Sequence, residues 1–298
     1  MNILILERMD HSGAGYALMQ AVNEHTEHKA RQATYEVSYL DYPVDILQPS
    51  RKQVRELWEW ADVVNIHDGD DTLVPLPAPD RPMVTTYHGS TYRANWPYYN
   101  LFDRAMYRIP TALNLDLVMF GPRWLPRPMP DLSHLRDRGN GTFRVGHAPT
   151  NRWGKSTKEV LEAVDGLQGI EFDLIEHVSN AECLRRKARC DLMLEEFMFG
   201  YGTNALENWA MGIPVLADAY GSIKSFMRMK LGKLPFVETS LTELRQRIIE
   251  LRDDRDAYEQ ACEQGRAYWN EHHRPEVVAE RFVNICREAQ ETLAALEV

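Results

Sequence analysis

The chain has 298 residues, 44% of them apolar and 26% charged, with 17 glycines and 16 prolines. That profile excludes a disordered, collagen-like or coiled-coil protein, and the length suits two packed domains. The net charge of −10 argues against a protein held to nucleic acid by overall charge. No apolar run reaches the roughly eighteen residues of a membrane span, and the opening Met-Asn-Ile-Leu-Ile-Leu-Glu is too quickly charged for a signal peptide, so a cytoplasmic protein with no membrane anchor is expected.

Residues 2–7 read as a short buried strand. The glycine-bearing turn Asp10-His11-Ser12-Gly13-Ala14-Gly15 follows, and Tyr16 to Glu24 has the spacing of an amphipathic helix. Further alternation is expected: strand Tyr35–Leu40, helix Arg51–Trp60, strand Asp62–Ile66 and strand Met83–Tyr87, the last ending in His88-Gly89-Ser90. Strands alternating with helices imply a parallel sheet covered on both faces.

Between Arg81 and Pro130 the charge balance reverses. Six arginines (81, 93, 104, 108, 123 and 127) stand against Asp103 and Asp116, and nine aromatics, Trp96 among them, share the segment. An arginine-and-aromatic surface suits sugars or nucleic-acid bases. The stretch Phe120 to Pro130 is proline-dense and reads as an interdomain connection.

A second alternation then begins: strand Thr142–His147, helix Ser156–Leu167, strand Glu171–Ile175, helix Ala181–Cys190, strand Asp191–Leu194, helix Thr203–Met211 and strand Pro214–Ala217. Two long helices at 241–271 and 275–295 close the chain. The four cysteines (183, 190, 262 and 286) form no CxxC pair and read as reduced, buried thiols. The expected fold is α/β, with two Rossmann-like domains facing each other across a cleft. Residues 1–125 form the first, 126–274 the second, and 275–298 a helix returning to the first. Ligands of such sheets bind beyond the carboxyl ends of the strands, which directs attention to the turns at 10–15, 67–71, 88–90, 148–155 and 199–203.

The first turn lacks GxGxxG and the chain lacks a Walker A loop, so a nicotinamide, flavin or P-loop enzyme is not indicated. The loop Ala148 to Thr157 puts Arg152 and Lys155 just before a helix, a set that suits a diphosphate or else forms a solvated loop. Further on, Glu195-Glu196-Phe-Met-Phe199-Gly200-Tyr201-Gly202-Thr203 leads into a helix, with Glu207 expected on its first turn. Glycines there let the backbone approach a ligand closely. The run Asp68-Gly69-Asp70-Asp71 reads as a solvated acidic loop in preference to a metal site.

Taken together, Arg152…Lys155, Gly200-Tyr-Gly202, Glu207 and Met211-Gly-Ile-Pro-Val215 resemble the donor half of retaining GT-B glycosyltransferases of the family-4 kind, over most of residues 142–219. Ser12-Gly-Ala-Gly15, His67-Asp68 and His88-Gly89-Ser90 are weaker echoes in the first domain.

The resemblance implies transfer of a sugar from a nucleotide diphosphate, expected to be a UDP-sugar, to an acceptor hydroxyl with retention and without a metal or other cofactor. Arg152 and Lys155 would hold the diphosphate and His88 would position the donor. Gly15, Gly200, Tyr201, Gly202 and Thr203 would approach the donor, and Glu207 would bind the ribose. Asp68, Arg93 and Trp96 would lie on the acceptor side. The family commonly has a second glutamate seven residues before Glu207, where this chain has Phe199; Glu195 or Glu196 is placed to supply that carboxylate. The acceptor reads as a soluble carbohydrate or other hydroxyl compound. A hydroxymethylated DNA base is the alternative, and a non-catalytic sugar-nucleotide-binding protein or an epimerase stands behind both.

Overall fold

The computed structural model describes residues 1–36, 40–75, 80–137, 139 and 141–295. The chain divides into two compact units, Met1–Pro128 with His273–Val298, and Met129–His272.

The first unit holds β1 (Asn2–Met9), α1 (Ala14–His25), β2 (Lys29–Glu36), β3 (Ile46–Leu47), α2 (Arg51–Trp60), β4 (Val63–His67), β5 (Met83–Tyr87), α3 (Gly89–Ala105), β6 (Ile109–Ala112) and β7 (Arg123–Trp124). The strands form one sheet in the order β3-β2-β1-β4-β5-β6-β7, and every pairing is parallel. Ile3 to Leu6 and Val63-Val64 are fully buried because both faces are covered, which is why they read as unbroken apolar runs. Ser50 and Gln53 make a reciprocal cap at the start of α2.

The second unit holds β8 (Phe143–His147), α4 (Thr157–Val164), β9 (Ile170–Leu174), α5 (Asn180–Lys187), β10 (Leu192–Leu194), α6 (Thr203–Ala210), β11 (Val215–Ala217), α7 (Gly221–Leu231), β12 (Val237–Glu238), α8 (Leu244–Asp253) and α9 (Arg255–His272). Its parallel sheet runs β12-β11-β10-β8-β9. The last helix, α10 (Pro275–Ala294), belongs to the first unit: Val278, Phe282, Ile285, Cys286 and Ala289 share a core with Ile3, Ile5, Leu18, Val22 and Val84.

Several expectations need correction. The strand expected at Tyr35–Leu40 is Lys29–Glu36, with residues 37–39 outside those described. Its alternate buried residues Ala30 and Gln32 pair with β1, and the small and polar side chains hid that from an apolar count. The helix expected at 241–271 is two helices, separated at Asp254, whose carboxylate accepts the Ala257 N–H and starts α9. Helix α4 stops at Val164, ahead of Gly166 with φ +67°. Helices α3 and α7 were not anticipated. None of the four cysteines is in a disulfide; Cys190 and Cys286 are buried while Cys183 and Cys262 are half-buried.

Candidate functional site

Each sheet reverses its strand order once, between β1 and β4 in the first unit and between β8 and β10 in the second. Chains leave such a point in opposite directions and open a crevice at the carboxyl ends of the strands. In both units charged side chains crowd that place.

In the second unit, Lys155 follows β8 and Glu195 follows β10. The Lys155 ammonium donates to Glu195 Oε1 and, at 2.7 Å, to Glu196 Oε2. Burial opposes its charge, yet the two carboxylates hold it ionised well above the usual lysine range. Asn204, in the first turn of α6, donates to the other Glu195 oxygen, and a Cβ on Gly202 would lie 3.6 Å from Glu195 Oε1 and 4.0 Å from the Lys155 Nζ. Lys155, Glu195, Gly202 and Asn204 therefore form one group, with Thr203 between the last two in the chain. Glu196 Oε1 is buried and has no hydrogen-bond partner among the described residues.

Arg152 lies on the same loop but its guanidinium is forked on Glu176, with Nε at 2.9 Å from Oε1, in a pair whose cation is exposed. Both cations of this loop therefore hold carboxylates in the structure. A pocket of 610 Å³ opens beside Arg152, lined also by Trp153, Ser156, Thr157, Leu161 and Met198.

Glu207 is the fifth residue of α6, in its second turn, not its first. Its buried carboxylate is paired with the buried Lys187 of α5 and accepts from Asn180 Nδ2 at 3.2 Å. Gly200 has φ +94°, and a Cβ there would meet Phe236 at 3.0 Å, so the position needs glycine. The Tyr201 ring packs on Trp209 and its hydroxyl bonds with that of Tyr268, so the side chain anchors the loop to α9. His147, which sequence reading passed over, braces the end of β8 through Leu194 O and Thr157 Oγ1, each at 3.0 Å; burial pushes it down to about 4 and keeps it neutral.

In the first unit, His88 immediately precedes α3. Its backbone N–H donates to Asp68 Oδ1 at 3.0 Å, and its Nε2 lies 3.2 Å from His67 Nδ1. Asp68 holds φ +53°, and its Oδ2 is 3.8 Å from His11 Nε2. His67 is buried and reaches Glu7 Oε2 at 3.0 Å, while Gln32 donates to Glu7 Oε1. Burial pushes the Glu7 carboxyl up to about 7 and pushes both His67 and His88 down. Gly15 sits within α1 against Glu7, where a Cβ would overlap the carboxylate, and its N–H donates to Asp10 Oδ1 at 3.0 Å. Its role in the structure is to admit Glu7, a function that sequence reading missed along with Glu7 itself.

Arg93 and Trp96 lie on α3. Arg93 is paired with Asp116, and the exposed Trp96 ring lies 5.7 Å from that of Phe120. Among the described residues no group of three or more His, Cys, Asp or Glu side chains is placed to hold a metal, and no helix is long and apolar enough to cross a membrane.

The backbone is similar to those of solved glycosyltransferases. One is an α-glucosyltransferase in complex with UDP-glucose and DNA containing an abasic site, at 12% identity and a TM-score of 0.70, covering 96% of this chain and 99% of that one. The same kind of enzyme with UDP and a 13-mer DNA containing an HMU base gives 10% identity and a TM-score of 0.68 over 96% and 99%. Anabaena HepE in complex with UDP and glucose gives 15% and 0.67, over 99% of both chains. The chain therefore has the α/β fold of these glycosyltransferases. No family model and no curated protein matches the sequence.

Proposed function

We propose that this protein is a glycosyltransferase that moves a sugar, with retention of anomeric configuration, from a nucleoside diphosphate sugar to an acceptor hydroxyl. The observation that carries the reading is the charged group at the β8/β10 reversal, built around Lys155, in a fold shared with proteins solved with UDP and UDP-glucose.

In this reading the second unit takes the donor. The exposed Arg152 exchanges its half-buried partner Glu176 for the diphosphate; a pair whose cation stays in water is worth little, so the exchange is easy. The guanidinium then stabilises charge developing on the leaving phosphate, which is electrostatic catalysis. Lys155 is half-buried and doubly paired, so it adds positive potential from a fixed position and orients Glu195 and Glu196. Glu196 Oε1, buried without a partner among the described residues, accepts a donor-sugar hydroxyl and replaces the carboxylate missing at Phe199. Glu207 accepts from the ribose, and Gly200 and Gly202 allow close approach. His88 positions the donor from the first unit. Lids or domain closure that exclude water protect such a donor from hydrolysis.

A DNA acceptor is the second reading. Two of the similar proteins were solved with DNA, and α3 exposes Trp96 and Tyr98, with the exposed Tyr107 just beyond its end, in the arginine-bearing segment.

The test is calorimetric titration with UDP, GDP, ADP and CDP, followed by incubation with radiolabelled UDP-glucose and three acceptor pools: oligosaccharides, unmodified DNA and hydroxymethylated DNA. Tight binding of UDP and label in one pool are expected, and the product's anomeric coupling constant reports retention. Absence of binding to every nucleotide would remove the donor site, and interconversion of the sugar nucleotide without an acceptor would make the protein an epimerase.

A further inference from the structure

Trp153 is the most exposed large apolar side chain among the described residues, at 85%. It stands between Arg152 and Lys155 on their loop, and among the described residues its ring stacks on no other ring and its Nε1 donates to no acceptor. Single exposed apolar side chains need no explanation, but this one faces a cavity.

Helix α4 supplies one wall. Thr157 and Val160 are buried and Val164 packs on the same core, so the row Lys158, Leu161 and Glu162, spaced i, i+3 and i+4, faces outward. Leu161, Met198 from the loop after β10, and Trp153 give the cavity its apolar surface. Its 610 Å³ lies within the roughly 300–1,000 Å³ of small-molecule sites.

The charge of the lining narrows the ligand. Arg152 is engaged with Glu176 and Lys158 lies 3.8 Å from Glu162, while the exposed Glu159 has no ion pair among the described residues. The rim thus offers carboxylate oxygens and no spare cation. That disfavours a phosphodiester strand, whose binding depends on neutralising its charge, and suits a neutral polyol. The C–H face of a pyranose is apolar and slightly positive, which matches the negative face of an indole, and the hydroxyls at its edge donate to carboxylates.

Position assigns the ligand to one side of the reaction. Glu207, given above to the ribose, does not line the cavity, and neither do its partners Asn180 and Lys187. The cavity is bounded instead by Arg152, given to the diphosphate, and by Met198, two residues beyond Glu196. It therefore lies past the diphosphate, away from the nucleoside.

We propose that this cavity is a subsite for a neutral oligosaccharide acceptor, with Trp153 as the platform for a sugar ring remote from the hydroxyl that reacts. The proposal rests on the donor reading given above and commits the acceptor to carbohydrate. Binding a remote ring lets the rest of the acceptor be held in register with the donor.

The test uses the full chain. It follows the Trp153 indole ¹H–¹⁵N signal, assigned by its absence from the Trp153→Phe protein, during titration with maltopentaose, cellopentaose, xylopentaose and chitopentaose, and with unmodified and hydroxymethylated duplex DNA. At least one oligosaccharide should move the signal saturably. Trp153→Ala should weaken that binding about 10-fold or more, as loss of a central aromatic contact does, and Trp153→Tyr should restore most of it. Because the side chain is exposed, both variants should fold, and calorimetric affinity for UDP should match the wild type in each. In turnover, Trp153→Ala should raise the oligosaccharide KM and leave the donor KM unchanged. No saturable shift with any oligosaccharide, or a shift with DNA alone, would overturn the proposal. So would loss of UDP binding in Trp153→Ala, because the cavity would then belong to the donor. A protein that binds oligosaccharide at Trp153 but no nucleotide would support the carbohydrate site and count against the glycosyltransferase reading alone.

Discussion

Lys187 and Glu207 form an ion pair with side chains only 3% and 5% exposed, joining α5 to α6 beneath the glycine turn at 200–202. Asn180, at the other end of α5, holds the remaining Glu207 oxygen. The carboxylate is thereby fixed in one rotamer before any ligand arrives. Ordering of that kind removes an entropy loss from binding.

Replacing Lys187 by Met leaves Glu207 buried and uncompensated. Loss of one partner of a buried pair costs about 3–5 kcal/mol, and the Lys187→Met protein should show that loss by urea unfolding. Combining it with Glu207→Gln removes the stranded charge and should recover most of the stability without restoring UDP affinity. A double variant no more stable than Lys187→Met would mean that the pair does not carry the coupling assigned to it.

Arg152 presents the opposite case. Its pair with Glu176 leaves the cation in water, so the Arg152→Ala protein should melt at the wild-type temperature. Turnover should nevertheless drop about 100-fold or more, as when a transition-state charge partner is removed. Equal turnover in the variant would take Arg152 out of the reaction.

The central strands were legible because parallel strands covered on both faces must be apolar throughout, as Ile3–Leu6 and Leu192–Leu194 are; the polar β2 was misplaced, and the short β3, β6, β7 and β12 were not anticipated. Helix α3 was not, since Pro97 interrupts it; the chain stays helical because Tyr92 and Tyr99 pack against Tyr87 and fix its inner face. At the site, Lys155 and the glycines were visible from their spacing in loops after strands. Their partners Glu195 and Asn204 depend on which strands are neighbours, and sequence order alone does not give that. Glu7 was hidden for a related reason. A carboxylate ending an apolar strand looks like the edge of the core, and only the β1/β4 pairing turns it toward His67.

Gly265 illustrates how the site helix is seated. It lies in α9 where a Cβ would overlap the buried indole of Trp209 on α6. Alanine is intrinsically better than glycine in a helix by about 1 kcal/mol, but overpacking costs about 1–3 kcal/mol. Gly265→Ala should therefore be destabilising, and Trp209→Phe in the same chain should return part of the loss. A Gly265→Ala protein more stable than wild type would show that Trp209 yields freely.

Two buried carboxyls tie stability to pH in a definite direction. Glu7 is raised from 4.5 to about 7 and Asp103 from 3.8 to about 6, in both cases by burial, with Tyr87 and Thr85 hydrogen-bonded to Asp103. In the unfolded chain both ionise first. The stabilisation is complete below the ordinary carboxyl range, falls as the pH rises from about 4 to about 7, and is level above that. Each group accounts for a loss on the order of 3 kcal/mol across its window. Urea unfolding between pH 5 and 8 should show the decline, and Glu7→Gln should flatten its upper part while Asp103→Asn flattens the lower. Stability that climbs from pH 5 to 7.5 and ignores both substitutions would contradict the buried placement of these carboxyls.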